Sequence, residues 1–305
     1  MVRNSESITL EKGSSIGLLF NAQKIEACLE ASRVSSFLSQ RGYRLVVPSG
    51  QPGISGDAPV VEVDDLSFGS DLALVVVFGG DGTILSTARR LCGHGTPILG
   101  VNTGTVGFLA EIIPSEFCDV ILRLESGQAI IDRRMMMEVA VLCPGKPDQR
   151  DEFVALNDAV INRESFARIL DLDLCVDGME VDSYHGDGVI VSTPTGSTGY
   201  SLSAGGPIVH PGIDVMTVTP ICVHRLHARS MVVSSDQIIE VSFPRSALEA
   251  RLTIDGQVYR TLEGCERITM TRSSMVTRLI TFPEKNFYRV LHAKLSGEAG
   301  RTARI

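Results

Sequence analysis

One short segment, Gly-Gly-Asp-Gly-Thr at 79–83, constrains the fold of this chain more than any other part of the sequence. It follows an apolar run at 72–78 and precedes residues 84–91, whose apolar positions recur at helical spacing. The carboxylate of Asp81 is therefore expected where a buried strand turns into a helix. Ligands of open α/β sheets bind at this end of the strands, and glycines there let the backbone approach a phosphate. A helix N-terminus also favours a phosphate, so the presence of a carboxylate that would repel it needs an explanation.

The composition limits the class of protein. The chain has 305 residues, of which 44% are hydrophobic and 21% charged, so we expect a globular protein with one large or two medium domains. Its net charge of -8 is opposite in sign to that of most proteins that bind nucleic acid. The sequence has no run of 18 apolar residues, and its first seven residues do not resemble a signal peptide. We therefore expect a cytoplasmic protein that binds neither nucleic acid nor a membrane.

The seven cysteines are scattered, without a Cys-x-x-Cys pair or close histidines. This pattern predicts reduced, mostly buried thiols in a reducing compartment rather than a disulfide framework. None of them lies in a recognisable nucleophile setting, so a catalytic cysteine is a minor alternative.

The first 128 residues alternate between strand and helix patterns, which predicts a parallel sheet with helices on its faces. One helix is expected from about Ile25, with Leu29 also on a helical face and Gly42 at its end. Another is expected from about Phe117, with Ser115 as its N-cap. The buried strands are expected at 15–20, 44–47, 72–78 and 97–101.

From about residue 130 the sequence consists of short strand-like runs, so this half is predicted to be mostly β. Asp-Gly pairs at 177–178 and 255–256 are typical of the turns between such runs. Apolar spacing at 287–295 predicts a last short helix, and the polar tail at 296–305 is expected to be mobile.

Two interpretations of Asp81 are open on the segment 79–83 alone. Asp81 is either an N-cap of a helix that starts near Thr83, or a functional carboxylate that acts on a metal or a hydroxyl proton while the glycines face a phosphate chain. The segment matches neither the P-loop pattern nor the Gly-x-Gly-x-x-Gly pattern of ordinary dinucleotide sites.

A second motif favours the functional interpretation. Residues 186–206 read Gly-Asp-Gly-Val-Ile-Val-Ser-Thr-Pro-Thr-Gly-Ser-Thr-Gly-Tyr-Ser-Leu-Ser-Ala-Gly-Gly, in which an apolar strand enters a loop rich in hydroxyls and glycines. Hydroxyls and free backbone N–H groups are what a ribose and a phosphate require from a protein. An ordinary Ser/Thr/Gly loop is the alternative, but the length of the run and the strand before it favour a binding loop.

These motifs resemble those of the NAD kinases, and the resemblance extends from the first strand to Leu295. Gly-Gly-Asp-Gly-Thr is shared with diacylglycerol and sphingosine kinases and more loosely with phosphofructokinases, whereas Thr-Pro-Thr-Gly-Ser-Thr is more specific to NAD kinases. The matching segments lie at 79–83, 102–109, 157–158, 193–207 and 254–257.

The resemblance implies a bacterial-type enzyme that transfers a phosphoryl group from ATP to the 2′-hydroxyl of the adenosine ribose of NAD. It implies an α/β, Rossmann-like domain over 1–128, completed by about 276–295, and a β-rich NAD-binding domain over 129–275, with the active site between them. A divalent cation, Mg²⁺, is expected to bridge the phosphates. A homodimer or homotetramer is also implied.

By the same resemblance, Asp81 matches the catalytic aspartate. An aspartate is ordinarily a weak base, and a loose phosphoryl-transfer transition state requires little base strength. We therefore expect Asp81 to orient the hydroxyl and help to hold the metal more than to remove a proton. Asn157 and Asp158 match the pair that holds the ribose, although many relatives carry Glu at the second position.

The other expected site residues follow from the matching segments, with Tyr200 able to stack on a base and Asp187 extending into a neighbouring subunit's site. The expected NAD-binding residues are Asp81, Gly82, Asn157, Asp158, Arg168, His185, Asp187, Thr198, Gly199, Tyr200, Ser201, Leu202, Ser203 and Gln257. The expected phosphate-binding residues are Gly79, Gly80, Gly82 and Thr83.

The chain departs from the family pattern at several positions. Gly199 stands where Ala is frequent, and His185 stands where Arg is frequent, which removes charge at neutral pH. In the segment that is usually Pro-His-Ser-Leu-Ser, Val223, Arg225 and His227 differ. Arg225 and His227 either add positive charge near a phosphate or are solvated surface residues.

Two other functions are alternatives. A lipid kinase of the diacylglycerol or sphingosine type would share the first motif, but the sequence shows no basic amphipathic helix for a membrane surface. A non-catalytic NAD(P) sensor is the second alternative, and the presence of Asp81 argues weakly against it.

Overall fold

The structure is a computed structural model that describes residues 6–51, 54, 58–65, 67–104, 107–110, 112–145, 150–164, 169–225, 228–244, 250–263 and 265–296. The chain divides into two compact units. Unit 1 comprises residues 1–133 and 277–305, and unit 2 comprises residues 134–276. The tail predicted to be mobile at 296–305 lies outside the described residues, apart from Ser296.

Helices and strands of the described residues are numbered in chain order. The helices are α1 (Ile25–Gln40), α2 (Asp81–Arg90), α3 (Phe117–Glu125), α4 (Tyr200–Ser203) and α5 (Phe287–Leu295), with 3-10 turns at Pro114–Glu116 and Gly196–Thr198. The strands are β1 (Glu6–Ile8), β2 (Ser15–Phe20), β3 (Arg44–Pro48), β4 (Val60–Val63), β5 (Leu74–Gly79), β6 (Ile98–Asn102), β7 (Ala129–Leu142), β8 (Arg150–Ala155), β9 (Asp158–Arg163), β10 (Leu170–Val176), β11 (Met179–Gly186), β12 (Gly188–Ser192), β13 (Val215–Ile221), β14 (Met231–Ser234), β15 (Ile239–Ser242), β16 (Ala250–Ile254), β17 (Val258–Leu262) and β18 (Arg267–Thr281).

Unit 1 is an α/β unit with a parallel sheet in the order β18-β6-β5-β2-β3-β4. Strand β5 is central, and all six of its residues are buried. A continuous apolar strand of this kind is typical of a parallel sheet that is covered on both faces. The last residue of β5, Gly79, pairs with Asn102 at the end of β6. The turn 79–83 and the segment that follows Asn102 therefore meet at the carboxyl edge of the sheet, as ligand sites of α/β sheets do.

The helices of unit 1 confirm the predicted elements but not all of their details. Helix α1 buries Ala27, Ala31, Val34, Ser35 and Leu38, whereas Ile25 and Leu29 are exposed. Small residues face the sheet because the helix packs closely against it. Gly42 adopts a φ of 88° just beyond the helix end, as expected for a C-terminal glycine.

Helix α3 buries the predicted apolar set at 117, 120, 121 and 124. The prediction that Ser115 caps this helix is wrong, because Ser115 lies inside the 3-10 turn Pro114–Glu116. The Glu116 carboxylate accepts a hydrogen bond from the Ile113 N–H at 3.3 Å instead. Proline favours the first position of a helical turn, so Pro114 starts the turn before the serine is reached.

Unit 2 is the predicted β-rich unit. One antiparallel sheet has the order β14-β13-β12-β9-β16-β17, and a second contains β11-β10-β15-β18. Alternate residues of the strands point inward, as in β10, where positions 170, 172, 174 and 176 are buried. Residues from both sheets form one apolar cluster, so the inner faces of the two sheets make the core of this unit.

All seven cysteines are free thiols, as the sequence predicts. Five of them are half-buried and two are exposed, so the prediction of mostly buried cysteines is wrong.

Among the described residues, no helix combines the length and the apolar character needed to cross a membrane.

A buried ion pair stabilises unit 2. Glu266 is 2% exposed, and its carboxylate accepts hydrogen bonds from Arg260 Nη2 at 2.6 Å and from the Glu263 N–H at 2.8 Å. Arg260 Nε also pairs with Asp151 at 2.6 Å. Burial alone would raise the pKa of the Glu266 carboxyl, but these hydrogen bonds outweigh burial and lower the pKa.

We expect Arg260→Met to lower the free energy of unfolding by about 3 kcal/mol at pH 7, because it leaves the Glu266 carboxylate buried without its partner. The pKa of Glu266 is lowered in the folded state, so the stabilisation is present above the ordinary glutamate pKa and is lost as the pH falls through the folded pKa. Denaturant titrations at pH 7 and at low pH measure both effects. Arg267→Met, which removes an exposed pair with Glu240, is the control and should cost less than about 1 kcal/mol. Equal losses in the two variants would contradict the prediction.

Candidate functional site

The backbone holds the Asp81 carboxylate in one orientation in unit 1. Strand β5 ends at Gly79, and helix α2 begins at Asp81. Asp81 Oδ2 accepts a hydrogen bond from the Phe108 N–H at 2.8 Å. Asp81 Oδ1 accepts bonds from the N–H groups of Leu109 and Ala110 at 3.1 and 3.3 Å. Three consecutive N–H groups of the segment after β6 therefore bind one carboxylate.

This geometry excludes the helix-cap interpretation of Asp81. The N-cap position belongs to Gly80, and α2 has no side-chain cap hydrogen bond. The helix begins two residues before the expected Thr83, so Asp81 lies in its first turn. From there the carboxylate bonds to residues far along the chain and not to its own helix.

Glycines make these close approaches possible. A Cβ atom on Gly107 would lie 1.8 Å from Asp81 Oδ1, so only glycine leaves room for the carboxylate. A Cβ atom on Gly79 would lie 2.3 Å from Thr83 Oγ1, so Gly79 is required for packing within the turn. At Gly80, by contrast, a Cβ atom would meet no described atom within 4 Å, and Gly82 is exposed. Within the predicted phosphate-binding set, Gly80 is therefore the position with open space, and Gly82 is exposed to solvent.

The hydrogen bonds leave Asp81 little remaining capacity. An ionised carboxylate has about four acceptor positions. Oδ1 uses two for backbone N–H groups and Oδ2 uses one. The hydrogen bonds of the described residues therefore leave one acceptor position on Oδ2, enough for one hydroxyl or one metal ion.

In unit 2, Asn157 and Asp158 lie where β8 ends and β9 begins. Asn157 Oδ1 is buried without a hydrogen-bond partner among the described residues. A buried acceptor left unpaired costs about 1–3 kcal/mol, so this atom is suited to a ligand that donates a hydrogen bond. Asp158 is 5% exposed. Burial, together with the charge of Asp255, raises the pKa of the Asp158 carboxyl to about 7.

The hydroxyl-rich loop after β12 is bonded to the same strand end. The Thr193 N–H donates to the Asn157 carbonyl at 2.8 Å, and the Thr193 hydroxyl donates to the Leu156 carbonyl at 2.5 Å. A Cβ atom on Gly199 would lie 3.6 Å from Asn157 Nδ2 and 3.9 Å from Asp158 Oδ2. The structure therefore brings Asn157, Asp158 and Gly199 together, as the sequence motifs suggested.

The hydroxyls of this loop divide into internal and outward groups. Ser197 donates to the Pro194 carbonyl at 2.7 Å, and the buried Ser201 shares a hydrogen bond of 3.0 Å with Thr219. These two hydroxyls stabilise the loop itself. The outward side chains are Tyr200, which is 48% exposed, and Ser203. Thr198 and Leu202 are half-buried.

The structure places the other predicted residues of unit 2 in surface settings. His185 Nδ1 lies 2.7 Å from Asp171 Oδ1, and Asp187 pairs with Arg163 at 2.9 Å. Gln257 is exposed in the turn between β16 and β17.

Three further residues from the sequence analysis have separate outcomes. Arg225 is exposed and pairs with Asp182 at 3.1 Å, which fits the surface alternative. Arg168, a predicted NAD-binding residue, and His227 lie outside the described residues.

Sequence reasoning missed two features of these regions. The N–H donors of 108–110 carry no side-chain signature, so only the glycine at 107 hinted at a close approach. Asp255 was interpreted as a turn residue, yet its carboxylate accepts backbone N–H bonds from 156–158. Its turn chemistry is the same as that of the Asp-Gly turn at 177–178, so the family match at 254–257 was the signal that could have marked it.

An α/β unit with a glycine-flanked carboxylate and a β-rich unit with a hydroxyl-rich loop together define a kinase-type phosphotransferase. Two family models match the chain: the ATP-NAD kinase N-terminal domain over residues 16–129 and the ATP-NAD kinase C-terminal domain over residues 156–282. A NAD kinase from Natranaerobius thermophilus is 37% identical over 93% of this chain and 98% of its own length. The chain belongs to the NAD kinase family.

Solved structures support the same architecture. A NAD kinase from Archaeoglobus fulgidus in complex with ATP has a TM-score of 0.69 and 28% identity, over 92% of this chain and 98% of that chain. Yeast NADH kinase complexed with NADH has the same fold, with a TM-score of 0.85 and 22% identity over 94% of this chain and 88% of that chain. The resemblance to NAD kinases is thereby confirmed, and these matches give no support to the lipid-kinase or sensor alternatives.

We expect Gly107→Ala to lower kinase turnover about 100-fold or more, because its Cβ atom would displace the Asp81 carboxylate or the loop that binds it. Steady-state kinetics with a thermal melt measures the effect. Gly104→Ala is a matched control in the same loop, since its Cβ atom would lie 3.8 Å from Asn102 Oδ1, an ordinary contact. The control should stay within about twofold of the wild type. Normal turnover of Gly107→Ala would show that the orientation of Asp81 is unimportant.

Proposed function

We propose that this chain transfers the γ-phosphoryl group of ATP to the 2′-hydroxyl of the adenosine ribose of NAD, releasing NADP and ADP. The observation that carries the proposal is the Asp81 carboxylate, which three N–H groups orient at the carboxyl edge of the parallel sheet. The relatives that bind NADH and ATP agree with both substrates. Unit 1 would supply Asp81, and unit 2 would supply the residues that bind NAD.

The proposed role of Asp81 follows from its one remaining acceptor position. A single acceptor of fixed direction can receive the hydrogen bond of the 2′-hydroxyl and align its oxygen with the γ-phosphorus. Since the transition state of phosphoryl transfer is loose, this alignment matters more than base strength. Gly80 has open space where its Cβ atom would be, and Gly82 is exposed to solvent, which suits a turn that faces the phosphate chain of ATP.

The proposed NAD contacts of unit 2 use the pair at 157–158. A ribose hydroxyl would donate to the unpaired Asn157 Oδ1, and a second would donate to the Asp158 carboxylate. The exposed ring of Tyr200 is available to stack on a base. The family resemblance implies further contacts with NAD, from Thr198, Ser203 and Gln257. It also implies contacts from Arg168, His185, Asp187, Gly199, Ser201 and Leu202.

A divalent cation fits the proposal as a partner of the phosphates. Among the described residues no group of three or more His, Cys, Asp or Glu side chains could hold an ion. Mg²⁺ is usually bound by one or two carboxylates together with substrate phosphates and water, so a site with one carboxylate fits it. Asp81 could contact such an ion only when the 2′-hydroxyl does not occupy its remaining acceptor position, so in the complex with NAD the phosphates and water would hold the ion, which would neutralise the charge of the phosphates.

The proposed compartment is the cytoplasm. The seven free thiols agree with a reducing compartment, which favours this location.

The proposed oligomer is a homodimer or homotetramer, in which Asp187 contacts the site of a second subunit. This proposal follows from the family resemblance. Size-exclusion chromatography with light scattering tests the oligomeric state.

The test of function is the formation of NADP from ATP, Mg²⁺ and NAD, followed through an NADP-specific dehydrogenase. We expect Asp81→Asn to lower kcat by about 10²- to 10⁴-fold while NAD affinity changes little, because the amide presents an N–H group to a backbone donor and loses the fixed acceptor. Isothermal titration with NAD is the control for binding. Absence of NADP at high enzyme concentration would contradict the function, and near-normal turnover of the variant would contradict the role of Asp81.

NAD affinity should increase with pH. The pKa of the Asp158 carboxyl is raised to about 7, and a ribose hydroxyl that donates to it favours the ionised form. Binding should therefore release a proton near neutral pH, and Kd should fall as the pH rises from 6 to 8, by at most about tenfold per pH unit. Asp158→Asn should abolish this dependence. Titration of NAD binding at several pH values measures it, and a wild-type Kd that is constant from pH 6 to 8 would refute it.

A further inference from the structure

Asp255 lies at the start of the turn between β16 and β17 and is bound to three consecutive residues of another loop. Its Oδ1 atom accepts hydrogen bonds from the N–H groups of Asn157 at 2.7 Å and Asp158 at 3.2 Å. Its Oδ2 atom accepts one from the Leu156 N–H at 3.2 Å. The Asp255 N–H donates to the Asp158 carbonyl at 2.9 Å. Four hydrogen bonds thus join this residue to the segment 156–158.

The turn itself does not require this arrangement. Asp177 is a matched case, because it also precedes a glycine and has a φ of 51°, compared with 50° for Asp255. The Asp177 carboxylate accepts bonds from the Ile238 N–H and the Gln237 side chain, both at 2.9 Å, and Asp177 is exposed. Asp255 is 6% exposed, so its carboxylate carries a desolvation cost that an Asp-Gly turn does not impose.

The position of Asp255 also adds an electrostatic cost. Asp158, 5% exposed, lies next to it, and two buried carboxylates repel each other. On the neighbouring strand β12, the residue paired with Asp158 is the uncharged Ser192. The loop at 193–199 that follows this strand contributes hydroxyl groups. Among the described residues, the charged side chain of Arg134 contacts this loop, with Nη1 3.5 Å from Thr195 Oγ1. Asp255 is the charge that acts on the Asp158 carboxyl to raise its pKa beyond the effect of burial.

We propose that Asp255 is a positioning residue of the NAD site, which fixes the backbone of 156–158 so that the Asn157 amide and the Asp158 carboxylate are held beside Gly199. The proposal rests on the proposed function, because it assigns Asp255 to the binding of NAD. Asp255 acts through the neighbouring segment and does not itself contact the substrate. Its negative charge has a second effect, since it adds to burial in opposing the ionisation of the neighbouring Asp158.

The test compares Asp255→Asn with Asp177→Asn in the full chain. Asp255→Asn keeps the size of the side chain but removes the charge and presents an amide to a backbone donor. We expect KM and Kd for NAD to rise about 10- to 100-fold, with kcat and KM for ATP changed little. The pH at which NAD affinity increases should shift downward, because the charge that raises the pKa of Asp158 is gone. Asp177→Asn should match the wild type in all of these measurements.

Three results for the Asp255 variants would overturn the proposal or part of it. A lower melting temperature of Asp255→Asn with unchanged NAD affinity and pH profile would overturn the proposal, since a purely structural residue behaves in this way. In the double variant with Asp158→Asn, the pH shift should disappear, and its persistence would overturn the electrostatic part. If Asp255→Asn does not fold, Asp255→Glu replaces it. This variant keeps the charge but displaces the segment, so we expect weaker NAD binding, and an affinity within twofold of the wild type would overturn the proposal.

The test separates this proposal from the proposed function. NAD binding is measured directly by titration, and NADP formation is measured in the coupled assay. A wild-type protein that binds NAD but forms no NADP would contradict the kinase function. In that case, the NAD affinities of Asp255→Asn and Asp177→Asn would still decide the role of Asp255. A wild-type protein that forms NADP, with Asp255→Asn unchanged, would contradict only the role of Asp255.

Discussion

The hydrogen bonding of three consecutive backbone N–H groups to one aspartate carboxylate is the interaction on which both functional regions depend. It occurs at Asp81, with the N–H groups of 108–110, and at Asp255, with those of 156–158. Three directed bonds fix a carboxylate much more strictly than one bond does, because rotation about either side-chain torsion breaks at least one of them. In the proposed function, the carboxylate of unit 1 is the functional group and the loop orients it. In unit 2 the proposed relation is reversed, since the carboxylate orients a loop that carries the proposed functional groups.

The loop that binds Asp81 is itself supported from the other side of its backbone. The ring of Phe108 lies 6.2 Å from that of Phe287 in α5, and Lys294 Nζ lies 4.7 Å from the Phe108 ring centroid. The same residue therefore donates its N–H to Asp81 and packs its side chain against the last helix. Residues from the end of the chain, which belong to unit 1, therefore pack against the loop whose N–H groups bind the carboxylate.

Local patterns predicted the elements well and the long-range contacts poorly. The strand β5, helices α3 and α5 and the two Asp-Gly turns follow from periodicity and turn chemistry, which are properties of neighbouring residues. The partners of Asp81 and Asp255 are 27–29 and 97–99 residues away, so no local pattern contains them. For the same reason the sequence could not separate Ser201, whose hydroxyl bonds inside unit 2, from the outward Ser203. The cap assigned to Ser115 failed because a neighbouring proline started a turn first.

The side chain at position 158 carries one of two neighbouring carboxylates of unit 2, those of Asp158 and Asp255. Many NAD kinases carry glutamate there, and the extra methylene would carry the carboxylate farther from its own backbone. In this chain the Asp158 backbone N–H donates to Asp255 Oδ1 at 3.2 Å, and the charge of Asp255 acts on the Asp158 carboxyl. Their repulsion adds to burial in raising the pKa of Asp158 to about 7. In the proposed site, a ribose hydroxyl that donates to Asp158 binds the ionised carboxylate, so the burial and the repulsion that oppose ionisation also oppose this hydrogen bond below about pH 7. The same two carboxylates that position the segment 156–158 therefore make the proposed binding of the ribose depend on pH.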